Sequence, residues 1–219
     1  MSIFAKKLRV LVACEYSGVV RDAFVKLGHD AMSCDLLPSD KPGKHYTGDI
    51  FDVINDGWDL MIAHPPCTYL TNSGVCWLHK DPDRWPLLDD GADFFKKLLN
   101  APIEKVAVEN PIMHKYAKER IGNIKQSQLI QPWQFGHMEQ KATCLWLRNL
   151  PLLQETKNVK KPMMLLPKRE RERLHYLSPS EDRWKLRSTT YQGIADAMAM
   201  QWGGQTLEAF VKEFDEEEL

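Results

Sequence analysis

The segment DLMIAHPPCT, residues 59–68, indicates the fold of this chain because an apolar run ends abruptly in two prolines. The run LMIA is typical of a buried strand, and consecutive prolines continue neither a strand ladder nor an ordinary helical turn. We therefore expect Pro65 and Pro66 to hold Cys67 in a fixed loop at the carboxyl end of that strand. Ligands of open α/β sheets bind at this end, so Cys67 is a candidate nucleophile. A buried cysteine in a tight turn is the alternative interpretation.

Strand and helix patterns alternate on both sides of this segment. Short apolar runs predict strands at residues 8–14, 30–34, 60–63 and 105–108, with two later strands, able to form a hairpin, at 127–135 and 143–147. Helical spacing of apolar residues predicts helices at residues 19–27, 87–99, 113–121 and 191–202. This alternation predicts an α/β fold with a doubly wound, mainly parallel sheet.

Charge is distributed unevenly along the 219 residues, although the formal net charge is only −1. Residues 157–187 carry ten Lys and Arg against four Asp and Glu, a surplus of six, whereas residues 207–219 carry six acids and one lysine. The basic segment is a candidate phosphate-contacting surface, and a solvated loop is the alternative. We expect the acidic segment to be a solubilising helix end.

The cysteines and the apolar runs exclude several classes of protein. Five cysteines without a CxxC pair argue against a disulfide framework and against a zinc site, so we expect a reducing, cytoplasmic compartment and no metal. The chain lacks the run of about 18 apolar residues that a transmembrane helix needs. Residues 1–8 are too short and polar for a signal peptide, so no membrane partner is expected.

Polar or small residues follow several of the predicted strands, and in a doubly wound sheet these positions converge on one crevice. A small residue with a glycine lets the backbone approach a ligand, and an acid after the second strand suits a ribose diol. We therefore expect a nucleoside-containing cofactor, although a full GxGxxG is lacking and each acid could equally be a cap. The residues concerned are Tyr16, Ser17, Gly18, Asp35, Asp49, Cys67 and Glu109.

Glu109 ends an apolar strand and is followed by Asn110 and Pro111. A carboxyl at the mouth of an apolar cleft is expected to have a raised pKa and to act as an acid or hydrogen-bond donor. A helix cap or a surface acid is the alternative.

These motifs resemble those of compact DNA (cytosine-5)-methyltransferases of the bacterial and phage type, over residues 8–203. Residues 66–67 match the Pro-Cys motif that carries the nucleophile, and residues 109–110 match the Glu-Asn pair. Residues 136–141, GHMEQK, are similar to the Gly-x-x-Gln-Arg/Lys segment. The catalytic residues that this resemblance implies are Pro66, Cys67, Glu109, Asn110, Gln140 and Lys141.

The cofactor that the resemblance implies is S-adenosylmethionine. Residues 16–18 are similar to the Phe-x-Gly cofactor loop, and residues 48–50, GDI, resemble the element whose aspartate meets the adenine. Asp35 matches the acid that holds the ribose hydroxyls, and residues 191–193 resemble the closing motif. The implied cofactor contacts are Tyr16, Ser17, Gly18, Asp35, Asp49, Ile50, Pro65 and Gly193.

The resemblance further implies a Rossmann-like methyltransferase fold with a much reduced recognition lobe. Residues 1–149 and 188–205 would form the catalytic domain, 150–187 a small basic insertion, and 206–219 an acidic helix or tail. The Cys67 thiolate would add to carbon 6 of a cytosine flipped out of DNA, Glu109 would act at ring nitrogen 3, and the methyl group would pass to carbon 5. Phage and prophage enzymes of this kind protect DNA from restriction, and we expect a monomer or weak dimer.

Three departures from the family pattern bear on specificity. Ala142 and Cys144 stand where the family has arginines, Ile194 follows Gly193 where the family has asparagine, and the recognition region is short. A small basic lobe supplies phosphate contacts more readily than base contacts, so we expect relaxed sequence specificity. The candidate DNA contacts are Arg183, Trp184, Lys185 and Arg187, while Trp77 and Trp85 are either lid residues or core anchors.

Two alternative functions stay open. The first is a methyltransferase of the same fold that acts on RNA, a nucleotide or an exocyclic amine, since residues 64–67, HPPC, faintly resemble the Asp/Asn/Ser-Pro-Pro-aromatic motif of amino-methyltransferases. The second is a catalytically weak DNA-binding protein that masks sites, which the missing arginines favour and the presence of Cys67 and Glu109 opposes.

Overall fold

The computed structural model describes residues 5–206 and Ala209. In this part of the chain, seven strands follow the predicted apolar runs closely. They are β1 (Arg9–Ala13), β2 (Asp30–Asp35), β3 (His45–Thr47), β4 (Leu60–Ala63), β5 (Lys105–Pro111), β6 (Gln128–Ile130) and β7 (Thr143–Arg148). The helices are α1 (Val19–Lys26), α2 (Val75–Leu78), α3 (Arg84–Leu99), α4 (Lys115–Arg120), α5 (Lys160–Met164), α6 (Lys168–Arg171), α7 (Arg183–Ser188) and α8 (Gln192–Met198).

The strands form one sheet in the order β3-β2-β1-β4-β5-β7-β6. β1 pairs in parallel with β2 and β4, and β4 pairs in parallel with β5. Only β7 runs the other way, antiparallel to β5 and to β6. The strand order reverses between β1 and β4, the kind of switch point at which such sheets bind ligands. This sheet confirms the predicted α/β fold with a doubly wound, mainly parallel sheet.

Helices cover both faces of the sheet, as its strands require, since parallel strands are buried on both sides. On one face α1 and α8 pack together and bury Phe24 and Ile194 in a cluster with β1 and β4. On the other face α3 and α4 pack together and bury Phe95 and Ala117. The carboxyl ends of the central strands are left at one edge, where loops meet.

Two element predictions need correction. The strand expected at residues 127–135 ends at Ile130, because Pro132 donates no ladder hydrogen bond and begins a short turn. The helix expected at residues 113–121 begins only at Lys115, because His114 caps it and its ring nitrogen accepts a hydrogen bond from the Ala117 amide at 3.0 Å.

Residues 150–187, the predicted basic insertion, contain three short helices, α5, α6 and α7. Leu153 and Met163 are buried, and Leu153 joins the cluster beneath α8. The division of the chain at residues 150 and 187 stays a prediction. The predicted acidic tail lies outside the described residues apart from Thr206 and Ala209. Throughout the described ranges, none of the helices combines the length and apolar character that crossing a membrane requires.

Candidate active site

The loop after β4 places Cys67 at the carboxyl edge of the sheet. Pro65 is buried and Pro66 is exposed. Cys67 follows them and is partly exposed. The Cys67 carbonyl accepts hydrogen bonds from the amides of Leu70 at 3.0 Å and Thr71 at 3.2 Å, so the cysteine begins a turn. The thiol is therefore held by the backbone on both sides, as the paired prolines predict, and is not sealed in the core.

The loops after β4 and β5 are tied to each other around this turn. The His114 ring hydrogen-bonds the Tyr69 carbonyl at 2.8 Å, its amide donates to the Leu70 carbonyl at 3.0 Å, and Thr71 bridges to Met113. These contacts join the turn that carries Cys67 to the strand end that carries Glu109.

Glu109, on β5, is hydrogen-bonded to His64, on the loop after β4. The distance from His64 Nδ1 to Glu109 Oε2 is 2.9 Å, and the two side chains are 9% and 16% exposed. Burial alone would raise the pKa of Glu109, but the hydrogen bond and the charges of His64 and Lys141 outweigh it. The pKa therefore lies below its ordinary value, and the expectation of a raised pKa at Glu109 was wrong.

The thiol of Cys67 is surrounded by charges of both signs. Burial and the carboxylate of Glu109 raise its pKa, while Lys141 and Arg187 act in the opposite direction. The net shift is upward, so the resting group is the thiol and not the thiolate. The predicted residues Cys67, Glu109 and Lys141 thus come together, and Arg187 joins them from the basic segment.

Gln140 and Lys141 lie in the stretch before β7, and both are anchored by their amides. Gln140 donates to the Arg171 carbonyl at 2.6 Å, and Lys141 donates to Gln131 Oε1 at 3.0 Å. The Lys141 ammonium group donates to the Arg187 carbonyl at 2.7 Å. The lysine that stands near the missing arginines therefore connects the sheet edge to α7.

Asn110 is fully buried beside Glu109. Its Nδ2 donates to the Pro111 carbonyl at 2.7 Å, and its Oδ1 has no hydrogen-bond partner among the described residues. Its contacts are with its own strand end and not with Cys67.

The loop after β1 contains a residue that the sequence reasoning missed. Glu15 is buried, and its carboxylate accepts hydrogen bonds from the amides of Val20 at 2.7 Å and Arg21 at 3.2 Å and from the Ser17 hydroxyl at 3.2 Å. A carboxylate in this position satisfies the free amides at the start of α1. The signal was an acid directly before a turn and a helix, at the first strand's end.

Gly18 has a different role from the open approach that the sequence predicts. Its φ is +70°, and a Cβ atom would lie 2.4 Å from a guanidinium nitrogen of Arg21. The Arg21 side chain is wholly buried and hydrogen-bonds Ser33, Ser39 and the carbonyl of Pro42. The glycine therefore makes room for an arginine that holds the loop after β2.

Asp35 ends β2, and Asp49 follows β3, the strand that pairs with β2. Asp35 accepts a hydrogen bond from the Leu37 amide at 3.0 Å, and burial raises its pKa against the lowering influence of this bond. Asp49 is exposed and caps the turn that follows through the Phe51 amide at 3.0 Å, while Ile50 is buried in the core.

Cys14 completes this cluster and was also missed. Its φ is +58°, and burial together with Asp35 and Asp49 raises the pKa of its thiol far above the ordinary value. Asp35 and Asp49 therefore form an acidic cluster at the end of β1, beside a thiol that stays protonated.

Gly193 lies at the start of α8, and it contacts Phe135 and His137. Its amide donates to His137 Nε2 at 3.0 Å, and a Cβ atom would lie 2.0 Å from the Phe135 carbonyl oxygen. The glycine permits close packing of α8 against residues 135–137. A contact between Gly193 and a cofactor stays a prediction.

Helix α7 covers the loop that follows β1. The Tyr16 hydroxyl donates to the Lys185 carbonyl at 3.1 Å, and the rings of Tyr16 and Trp184 are 5.4 Å apart. Lys185 also pairs with Asp40 at 3.5 Å. The predicted nucleic-acid contacts therefore lie directly over the predicted cofactor loop.

The outer surface of α7 combines positive charge and an aromatic ring. Trp184 is 49% exposed, Arg187 is exposed, and Arg183 is partly exposed with a buried Nε that lacks a partner among the described residues. Such a surface suits a phosphate backbone and a stacked base.

The two tryptophans after Cys67 have different surroundings. Trp85 packs against His79, Tyr116 and Arg120, with ring centroids of Trp85 and Tyr116 5.1 Å apart, and so anchors the loop. Trp77 is 51% exposed, with Lys80 over its ring at 4.9 Å. Within the described ranges, no three His, Cys, Asp or Glu side chains are grouped in a way that could hold a metal ion.

Comparison with known proteins finds distant structural similarity only. No family model and no curated protein matches the sequence. The chain is similar to a candidate DNA modification methyltransferase encoded within an E. coli prophage, with a TM-score of 0.42 and 15% identity over 75% of this chain and 50% of that one.

Two further solved structures are similar to the same extent. The methyltransferase EhMeth of Entamoeba histolytica gives a TM-score of 0.46 and 17% identity over 70% of this chain and 58% of its own. Dnmt2 of S. pombe gives a TM-score of 0.40 and 18% identity over 81% of this chain and 61% of its own. The chain thus spans 50% to 61% of the lengths of the three structures. At this distance, the fold assignment rests on the chain's own sheet order, and the function rests on its site.

Proposed function

We propose that this chain transfers a methyl group from S-adenosylmethionine to carbon 5 of cytosine in DNA, through a covalent bond between Cys67 and carbon 6. The observation that carries the proposal is the placement of the Cys67 thiol within reach of the charges of Glu109, Lys141 and Arg187, at the carboxyl edge of the sheet. A nucleophile, a carboxylate and two cations are what addition to a pyrimidine ring requires.

The acidic cluster of Asp35 and Asp49 suits S-adenosylmethionine better than a phosphate-containing cofactor. Cofactor phosphates commonly bind the free amides at a helix start, and in α1 those of Val20 and Arg21 are already bound to Glu15. The carboxylates of Asp35 and Asp49 would repel a phosphate further and would favour a sulfonium cation. We propose that Asp35 holds the ribose hydroxyls and that Asp49 lies by the adenine. When bound, the cofactor supplies an electrophilic methyl group.

Cys67, which is partly exposed, would act as the nucleophile after losing its proton to solvent. Its upward-shifted pKa requires that Lys141 and Arg187 stabilise the thiolate as it forms. Addition of the sulfur to carbon 6 would make carbon 5 electron-rich enough to accept the methyl group. Loss of the carbon 5 proton would then release Cys67.

Glu109 would hold the cytosine at its exocyclic amine and, once ring nitrogen 3 is protonated, at that nitrogen as well. Because its pKa lies below the ordinary range, Glu109 would meet the base as a carboxylate that accepts a hydrogen bond from the exocyclic amine. The target base would have to leave the duplex to reach this position.

We propose that DNA is bound across α7 and Trp77. The positive, partly aromatic surface of α7 supports phosphate contacts, which position a protein on the duplex without reading its sequence. Relaxed sequence specificity is therefore part of the proposal, as is a role in protecting DNA from restriction.

The test is the modified-base content of cells that express the protein in a host without cytosine methylation. DNA and RNA are digested separately, and 5-methylcytosine, N4-methylcytosine and N6-methyladenine are quantified by mass spectrometry, beside a Cys67→Ala variant. We expect 5-methylcytosine in DNA that disappears in the variant.

Other outcomes distinguish the alternatives. N4-methylcytosine that persists in Cys67→Ala would indicate transfer to an exocyclic amine, which needs no thiol. 5-methylcytosine confined to RNA would identify RNA as the acceptor. Tight DNA binding without any modified base would favour the site-masking function, which the raised pKa of Cys67 supports.

A further inference from the structure

His64 is the one residue of the HPPC segment to which neither the fold nor the proposed chemistry assigns a role. Its backbone amide continues the sheet by donating to the Ala13 carbonyl at 2.9 Å. Its ring, by contrast, points to Glu109 on the neighbouring strand, with Nδ1 2.9 Å from Oε2. The two residues are 45 positions apart and meet because β4 and β5 are adjacent.

The second ring nitrogen of His64 is unsatisfied. The side chain is 9% exposed, and Nε2 has no hydrogen-bond partner among the described residues. Buried polar atoms are nearly always paired, so an orphaned nitrogen next to a catalytic carboxylate indicates a group that is used during the reaction. The Nδ1 bond to a carboxylate fixes the ring orientation, since Nδ1 must be the donor.

The pair joins a carboxylate to a ring that can donate to it. Glu109 is ionised, and the His64 ring provides a donor. Charged and titratable groups act on the pair or on its immediate neighbours from four parts of the fold. They are Cys67 after β4, Lys118 on α4, Lys141 and Cys144 before and on β7, and Arg187 on α7.

We infer that His64 is the proton partner of Glu109, which it orients and through which it protonates nitrogen 3 of the target cytosine as Cys67 adds to carbon 6. The inference rests on the proposed function. His64 does not touch the base, so it is a positioning and proton-supplying residue and not a catalytic one.

The step balances within these groups. The sulfur–carbon 6 bond forms, and the electron pair of the 5,6 double bond moves into the ring toward nitrogen 3. The His64 ring, which has taken a proton from solvent on Nε2, passes its Nδ1 proton to the Glu109 carboxylate, and Glu109 passes a proton to nitrogen 3. Glu109 is then ionised as before, and His64 is left neutral with its proton on Nε2. When the carbon 5 proton leaves to solvent and the carbon–sulfur bond breaks, the proton on nitrogen 3 returns by the same route.

The first measurement needs no activity. Nitrogen-15 NMR of the histidine rings, with His64→Asn used for assignment, reports which ring nitrogen carries the proton. We expect His64 to be protonated on Nδ1 in the free protein, because Nδ1 faces the Glu109 carboxylate. A neutral ring protonated only on Nε2 would overturn the pairing even if the methyl transfer itself is confirmed.

The second measurement is the pH profile of single-turnover methyl transfer. Asparagine places an amide donor near the position of Nδ1, so His64→Asn keeps the bond to Glu109 but exchanges no proton, whereas His64→Ala loses both. We expect the wild-type rate to pass through a maximum with pH. In His64→Asn we expect a rate about 10²-fold lower that rises with pH without a maximum, as loss of general acid catalysis predicts.

The outcomes separate this inference from the proposed function. If His64→Asn matches the wild-type rate and profile, the proton role is wrong although the methyltransferase assignment holds. If wild-type protein methylates no nucleic acid, the function has failed, and the NMR measurement alone decides whether His64 and Glu109 form the pair. Circular dichroism of each variant verifies that it is folded.

Discussion

Cys67 can act on a pyrimidine only as a thiolate, and its environment opposes ionisation. Burial and Glu109 raise the pKa of the thiol, and the two cations only partly compensate. The electrostatic potential at the sulfur therefore depends on three residues in different parts of the chain, which are Glu109 on β5, Lys141 before β7 and Arg187 on α7. The charge of each neighbour predicts whether its substitution raises or lowers the reactivity of the thiol.

The rate at which iodoacetamide alkylates Cys67 tests the direction of each change. Because the pKa is raised, the thiolate fraction is small at pH 7 and grows as the pH rises. Glu109→Gln removes a negative charge, so it should accelerate alkylation at pH 7 by up to about tenfold, the change that one pKa unit brings. Lys141→Met and Arg187→Met should slow it. Peptide mass spectrometry measures the rates, with the exposed Cys76 as the internal reference.

A Cys67 rate that is equal in all four proteins would contradict this electrostatic account. An equal change at Cys76 would point to altered folding, since Cys76 lies on α2 and is not among the groups coupled to Glu109.

The pKa of Glu109 and the role of Glu15 were not predicted for a common physical reason. Their interaction partners are either distant in sequence or belong to the backbone. Cys67 and Glu109 could be predicted because each ends an apolar run. The direction of the Glu109 pKa could not, since it depends on His64 and Lys141, 45 and 32 positions away. Glu15 was overlooked because its partners are mainly backbone amides, which leave no trace in the side-chain pattern.

At the scale of elements, the central strands were predictable because buried parallel strands are continuous apolar runs bounded by turns. The helices of the basic segment were not, because α6 buries no residue and therefore shows no apolar periodicity. Its neighbour α7 is held by contacts to Tyr16 and Lys141, which sequence spacing alone does not indicate.

Helix α8 offers a test of how the closing element is held. Gly193→Ala would place a methyl group against the backbone oxygen of Phe135, which has no side-chain rotamer to yield. We expect a loss of about 1–3 kcal/mol in the free energy of unfolding, as for other overpacked sites. Urea unfolding followed by circular dichroism measures it.

Gly91→Ala is the matched control for that substitution. Gly91 lies within α3, and its added Cβ would meet only Leu70, at 3.6 Å, an ordinary contact. We expect a gain of about 0.5–1 kcal/mol, because alanine loses less backbone entropy than glycine in a helix. If Gly193→Ala were as well tolerated as Gly91→Ala, close packing would not explain the glycine, and a contact with a bound cofactor would become the better explanation.

On the scale of the whole molecule, the near-zero net charge conceals a division of the surface. Asp35 and Asp49 at the ends of β2 and β3 are acidic, whereas α7, which covers the loop after β1, is basic. A polyanion would therefore be attracted to α7 and repelled from the two aspartates. This separation would allow the proposed cationic cofactor and a nucleic acid to bind side by side without competing for the same charges.

The salt dependence of DNA binding tests this division. Each phosphate contact that is lost should reduce the slope of log K against log salt concentration by about 1. We therefore expect the double variant Arg183→Gln/Arg187→Gln to bind a random duplex with a slope smaller in magnitude by about 2, measured by fluorescence anisotropy between low and physiological salt. The double variant Lys6→Gln/Lys26→Gln removes the same net charge from the opposite edge, before β1 and at the end of α1. Its slope should equal that of the wild type, because its lysines lie away from α7. Equal losses in both variants would mean that DNA senses the total charge and not this helix, and binding across α7 would have to be abandoned.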